Sequence, residues 1–235
     1  MISLYDELLE LKKENSDNDK FLEFSAKLIP NIDKQTIIGI KIPVLRLYAK
    51  KLYKNNINKC IEFVNSLPHK YLEENIIHGF LVSLLCSDIH ELFDYLDKFL
   101  PYVNNWSVTD TINSKMFKKH PELVRDKLKE YLNNEKPFVK RFAIVSYLQY
   151  FLDDNFREED LILISKVDCN DYYVDMAKAW YYSFAFIKKY DITLNMFIDN
   201  KLNLTKFVYN KSIQKACESF RIEEEKKKYL KSLKI

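Results

Sequence analysis

A chain of 235 residues, 47% hydrophobic and 14% aromatic, can bury a sizeable core as one large domain or two small ones. Two glycines are too few for a phosphate-cradling loop, a doubly wound sheet or a barrel, each of which needs backbone at positive φ or in close approach to a ligand. A net charge of +3 is only mildly basic, so attraction to a polyanion has to come from how charge is arranged and not from its total.

The six prolines fall between periodic segments, where they begin or end helices, and the expectation is an all-α chain. Cys60, Cys86, Cys169 and Cys217 are widely spaced with no CxxC pair, and no basic stretch followed by an apolar run opens the sequence. A reduced, cytoplasmic protein is expected. No run of about eighteen apolar residues is present, so no transmembrane helix is expected.

In chain order, Leu4, Leu8, Leu9 and Leu11 have helical spacing, with Ser3 placed as the N-cap. A polar stretch from Asn15 to Asp19 breaks that helix. Phe21, Phe24, Leu28 and Ile29 then mark a second one, expected to be buried and closed by Pro30 and Asn31. The apolar connector Ile37 to Ile42 leads into Pro43, which suits the first turn of a helix running to about Asn55.

Helices are expected next at about 57–66, 69–86, 89–100, 105–118, 120–133, 137–152, 157–166, 171–190, 191–200, 206–219 and 222–233. Every second start, near 69, 105, 137, 171 and 206, is separated by about 36, 32, 34 and 35 residues, a spacing in the range of helical-repeat arrays. The fold expected is a single domain over 1–235, a right-handed α-α superhelix of HEAT-like repeats with a concave, partly basic cleft. A compact bundle is the alternative. The series starting near 69 carries the least ordinary side chains and is placed on the concave side. Segments such as Ile89 to Leu100 and Ile222 to Leu230 are amphipathic and are placed outside.

Trp106 and Asp110 stand four residues apart, so one helical face carries an aromatic wall and a carboxylate. Arg141 and Trp180 follow on the next two helices of the same series. Each has a plainer reading: tryptophans usually fill cores, an arginine pairs with a neighbouring carboxylate, and lysines are usually just solvated. Arg46, Lys178, Lys211 and Lys215 are candidate phosphate contacts. His78 follows Glu74 by four residues, but no further ligands converge on that spacing, so no metal and no cofactor are expected.

Trp106-x-x-x-Asp110, Lys140-Arg141-Phe142-Ala143-Ile144-Val145 and Ala177-Lys178-Ala179-Trp180, in that order, resemble the AlkD family of HEAT-like-repeat DNA alkylation repair glycosylases. Gly39-Ile40-Lys41-Ile42-Pro43-Val44-Leu45-Arg46 resembles that family's Gly-Ile/Val-x-x-Pro-x-x-Arg opening of the array, so the likeness runs from about Gly39 to the end. It implies a protein that grips duplex DNA on its concave surface and cleaves the N-glycosidic bond of cationic N3- or N7-alkylated purines; a monomer is expected. On that analogy Asp110 faces the sugar, Trp106 and Trp180 offer π faces, and Arg141 holds a phosphate.

Asn105 stands where the family often has an aromatic residue. The segment Phe21 to Ile29 is apolar where active members carry a polar, groove-penetrating helix. That apolar helix is expected to pack and not to probe, as in a branch of the family that keeps the scaffold without the groove helix. The alternative function is therefore a helical-repeat scaffold that binds DNA weakly without catalysis.

Overall fold

The computed structural model describes residues 4–15, 19–168 and 170–235, and every regular element among them is a helix. Ser3, the expected first cap, and Cys169 lie outside the described residues, as does most of the polar break after the first helix. The chain divides into two compact units, Met1–His120 and Pro121–Ile235.

The first unit holds α1 (Leu4–Asn15), α2 (Lys20–Leu28), α3 (Ile42–Asn55), α4 (Ile57–Asn65), α5 (Leu72–Leu85), α6 (Ile89–Phe99), α7 (Trp106–Thr109) and α8 (Lys115–Lys119). The second holds α9 (Pro121–Leu132), α10 (Pro137–Tyr150), α11 (Glu158–Ser165), α12 (Tyr172–Lys188), α13 (Tyr190–Ile198), α14 (Lys206–Glu218) and α15 (Glu224–Ser232). Local chemistry explains many of the starts. Asp88 accepts from the amides of His90 (2.8 Å) and Glu91 (3.3 Å) to open α6. Asp171 accepts from Tyr173 (2.8 Å) and Val174 (3.2 Å) to open α12, while Pro43 and Pro137 occupy first-turn positions where no amide is needed.

The two expected helix series differ in burial as the pattern requires. In the second unit α10 packs on α9 and α12, and α12 packs on α10, α13 and α14. Covered on several sides, α10 and α12 are apolar around most of their circumference. In the first unit α6 buries one stripe, Ile89, Leu92, Phe93, Leu96 and Phe99, and in the second unit α15 buries only Leu230.

The repeat period also appears in the ion pairs. Glu122–Arg157 (2.6 Å), Asp153–Lys188 (2.6 Å) and the buried pair Arg125–Asp160 each join residues 35 apart in sequence. Arg125 is held further by the Asn155 carbonyl (2.6 Å) and by the Phe151 ring, 4.5 Å from its guanidinium carbon. A buried arginine needs such a set of partners, because an uncompensated charge there costs several kcal/mol.

The first unit is organised around the buried carboxylate of Glu73, only 1% exposed. It accepts three successive backbone amides of the connector: Ile38 (2.9 Å), Gly39 (2.7 Å) and Ile40 (3.2 Å). Burial pushes this carboxyl above its ordinary range, and the three N–H donors pull the other way. Gly39 has φ of +94°, and a Cβ there would lie 2.8 Å from Leu22 Cβ, so glycine is needed both for the bend and for the close approach of α2.

Two expectations are corrected. The helix expected over 105–118 is two short helices, because polar side chains between them bond the backbone and turn it. The Thr111 hydroxyl donates to the Ser107 and Val108 carbonyls (3.1 and 2.9 Å), and Ser114 caps α8 through the Met116 amide (3.2 Å). The second helix is also less buried than expected, since Phe24 and Leu28 on α2 are 55% and 46% exposed.

Replacing Glu73 by Ala strands three buried amides, each costing roughly 1–3 kcal/mol. The expected result is a loss of at least about 3 kcal/mol in urea unfolding, and a change below about 1 kcal/mol would refute the anchor role.

A second prediction concerns a ring stack in the same unit, Phe63–His69–His78–Phe99, with centroid separations of 4.2, 5.0 and 3.8 Å. His69 Nε2 and His78 Nδ1 are 2.8 Å apart, and His78 Nε2 has no partner among the described residues. An orphan acceptor is cheaper than an orphan donor, so His78 Nδ1–H donates to His69. Burial lowers His69 to about 4 and His78 to about 2, the latter also through His69. The unfolded chain, with histidines near pH 6.5, binds these protons first, so the stability is fully present above about pH 6.5 and falls as pH drops toward 4. Native protein should lose up to about 1.4 kcal/mol per pH unit per histidine in that window. A His69→Phe/His78→Phe variant should show a flatter profile, and an unchanged slope counts against the assignment.

Candidate functional site

Trp106 and Asp110 occupy one helical turn. Asn105, almost fully buried, caps it by accepting the Val108 amide (3.2 Å), and the Asp110 amide closes it on the Trp106 carbonyl (3.0 Å). Asn105 is thus the residue that starts the turn on which the tryptophan stands. Both side chains of the pair are half-buried, and neither is lost in the core. The Thr109 hydroxyl donates to Asp110 Oδ1 (2.9 Å), restraining the carboxylate.

The indole orientation is set from α2. Trp106 Nε1–H donates to the Leu28 carbonyl (3.3 Å), one of the carbonyls that a helix end leaves without an intrahelical partner. Three residues on, the Asn31 side-chain Nδ2 donates to the Asn104 carbonyl (2.6 Å). The carboxyl end of α2 is therefore stitched to the strand of chain that carries Trp106. On the other side, α5 supports this stretch through Gly79, where an added Cβ would lie 2.8 Å from Ile112 Cγ1.

In the second unit Arg141 is only 7% exposed, and its Nη1 donates to the Tyr173 carbonyl (2.8 Å) in the first turn of α12. Trp180 is half-buried and edge-on to Phe184 at 6.0 Å, so it is not a core filler. It shares a partly exposed face of α12 with Tyr173, Met176 and Phe184. Lys211 and Lys215 are half-buried one turn apart on α14, and Lys211 Nζ donates to Gln214 Oε1 (3.1 Å).

Lys178 corrects an expectation. It is 4% exposed, and its ammonium donates to the Ser165 (3.1 Å) and Val167 (2.9 Å) carbonyls at the end of α11, so it caps a helix and does not present itself to a phosphate. Arg141 is likewise enclosed, with its guanidinium donating to the Tyr173 carbonyl. Arg46, on α3, is exposed, with its guanidinium carbon 4.5 Å above the Phe80 ring.

The sequence reading passed over Glu73, Thr109 and the two glycine contacts. For Glu73 a signal existed, because it falls on the same helical face as Ile76, Ile77 and Phe80. The bond from Thr109 to Asp110 had none beyond adjacency.

Among the described residues no group of three or more His, Cys, Asp or Glu could hold a metal ion, and no helix is long and apolar enough to cross a membrane.

A capped turn presenting a tryptophan and an acid, in an all-helical chain with a repeat near 35 residues, describes a helical-repeat protein with one polar, aromatic surface site. The profile of the family described as DNA alkylation repair enzyme matches residues 8–180, well over half of the chain, and the chain belongs to that family. No curated protein and no solved structure matches it. The matched region takes in α1 and α2 as well as Arg46, Trp106, Asp110, Arg141, Lys178 and Trp180, while Lys211 and Lys215 lie beyond it.

Replacing Trp106 by Phe keeps the ring and deletes the bond to Leu28. Amide exchange over residues 26–32 should then accelerate, with a stability loss of roughly 0.5–1.5 kcal/mol. Unchanged exchange would mean that α2 is held without the indole.

Proposed function

We propose that the protein is a DNA glycosylase that hydrolyses the N-glycosidic bond of cationic N3- or N7-alkylpurines in duplex DNA. The observation that carries this reading is the Trp106–Asp110 turn: an aromatic face and a carboxylate, both reachable from solvent and each fixed by a separate hydrogen bond. A positively charged base leaves readily. Its C1′–N9 bond breaks with the electron pair going to the base, so no general acid is needed.

What the reaction requires is stabilisation of the cationic sugar and a placed water. Asp110 supplies the negative charge, orients the water that attacks C1′ and takes up its proton. The Trp106 ring offers a π face to the developing cation. In this reading Trp180 offers a second aromatic face, Arg141 positions α12 through the Tyr173 carbonyl, and Arg46, Lys211 and Lys215 meet phosphates.

A second reading, a repeat scaffold that binds DNA weakly without excision, draws on α2, which exposes the apolar Phe24 and Leu28. Single-turnover incubation with duplex DNA containing 7-methylguanine, scored for abasic sites, separates the two. Native protein should excise the base and Asp110→Asn should be slower by about 10²-fold or more. No excision by the native chain would overturn the glycosylase reading.

A further inference from the structure

A pocket of about 360 Å³ opens between α3, α5 and α8 of the first unit, within the ~300–1,000 Å³ typical of small-ligand sites. Three cations line it. Arg46 and Lys50 lie one turn apart on α3, Lys115 begins α8, and all three are exposed. No carboxylate lines the pocket, and none of the three cations forms an ion pair with a described residue. Such a cluster repels itself, and an anion relieves that cost.

The remaining wall is of a different character. Phe80, Leu84 and Met116 are apolar, and Asn113 adds an amide. The Arg46 guanidinium carbon lies 4.5 Å from the centre of the Phe80 ring, a cation–π contact. A guanidinium plane backed by an aromatic ring is a platform on which a nucleobase stacks. The Cys86 thiol adds no negative charge to the pocket, because burial and the neighbouring Glu91 and Asp88 push it up to about 12.

We propose that this pocket binds a single nucleotide, its phosphate between Arg46, Lys50 and Lys115 and its base against the Arg46–Phe80 stack. An apolar wall distinguishes this from a bare phosphate contact, which needs cations alone. The pocket is separate from the acid. Asn113 lies three residues beyond Asp110, on the segment that Gly79 supports through Ile112, so a nucleotide held here is anchored next to the Trp106–Asp110 turn while Asp110 itself is not among the lining residues. Binding here does not require that Asp110 cleave any bond.

The nucleotide has two possible sources, an unpaired position of a DNA strand or a free mononucleotide. Calorimetric titration of the full chain with deoxyadenosine monophosphate, deoxyadenosine and a single-stranded DNA pentamer tests the proposal. The pentamer should bind, and an Arg46→Gln/Lys50→Gln/Lys115→Gln variant should weaken it by at least about tenfold. If the monophosphate shows the same loss and deoxyadenosine binds at least about tenfold more weakly than it, a free nucleotide suffices. If only the pentamer responds, the nucleotide belongs to a strand.

Met116→Trp fills the apolar side while keeping all three charges, and it should weaken the same ligands. Three results overturn the proposal: no pentamer binding by the native chain, native-like pentamer binding by the triple variant, or native-like binding by Met116→Trp. Asp110→Asn should bind the pentamer within about twofold of the native chain, so a failure of excision and a failure of the pocket are read separately.

Discussion

A carboxylate with three amide donors and almost no solvent is costly to build, and Glu73 is the group on which the first unit depends. Its oxygens take up the amides of residues 38–40 just where the chain bends at Gly39, so the connector needs no strand partner to satisfy its backbone. The bend places Gly39 against Leu22 of α2. The far end of α2 then receives the Trp106 indole. One buried acid thus fixes a chain of contacts that ends at the tryptophan of the candidate site.

The second unit is held differently. There the recurring tie is an ion pair spanning one repeat, with Arg125–Asp160 buried and Glu122–Arg157 and Asp153–Lys188 nearer the surface. Exposed pairs contribute little to stability. Their shared separation of 35 residues instead reflects register: each repeat sets the charge that the next one meets. Arg141 and Lys178 belong to the same logic, since Arg141 on α10 donates to a carbonyl of α12 and Lys178 on α12 to carbonyls at the end of α11, so both lock helices together.

That difference explains what the sequence reveals. Helix positions were legible because 3.6-residue periodicity and proline or aspartate starts are local signals, and the period near 35 followed from them. The break after Thr109 was not, because it depends on Thr111 and Ser114 bonding the backbone, a choice those residues also decline in many helices. That Trp106 and Asp110 share one helical turn was legible from spacing alone. The burial of Lys178 was not: a lysine reads as solvated until tertiary packing encloses it, and only the ends of neighbouring helices decide which carbonyls it meets. Glu73 lay between these cases, visible on an apolar face yet unreadable in its partners.

Taking Lys178 out of the exposed cations changes how a polyanion would be held. The helix whose end meets the Trp106 indole is mixed in character, since α2 exposes Phe24 and Leu28 beside Lys20 and Lys27 and pairs Glu23 with Lys34. Contact with DNA through α2 would therefore combine removal of two apolar side chains from water with phosphate contacts by two lysines. Arg46, Lys50 and Lys115 in the first unit gather around a pocket and not along a groove. A flat basic surface draws in any duplex at low salt, whereas a concave cluster with one aromatic wall favours a ligand small enough to enter it. With only three excess positive charges over the whole chain, the arrangement of cations and not their number has to supply selectivity.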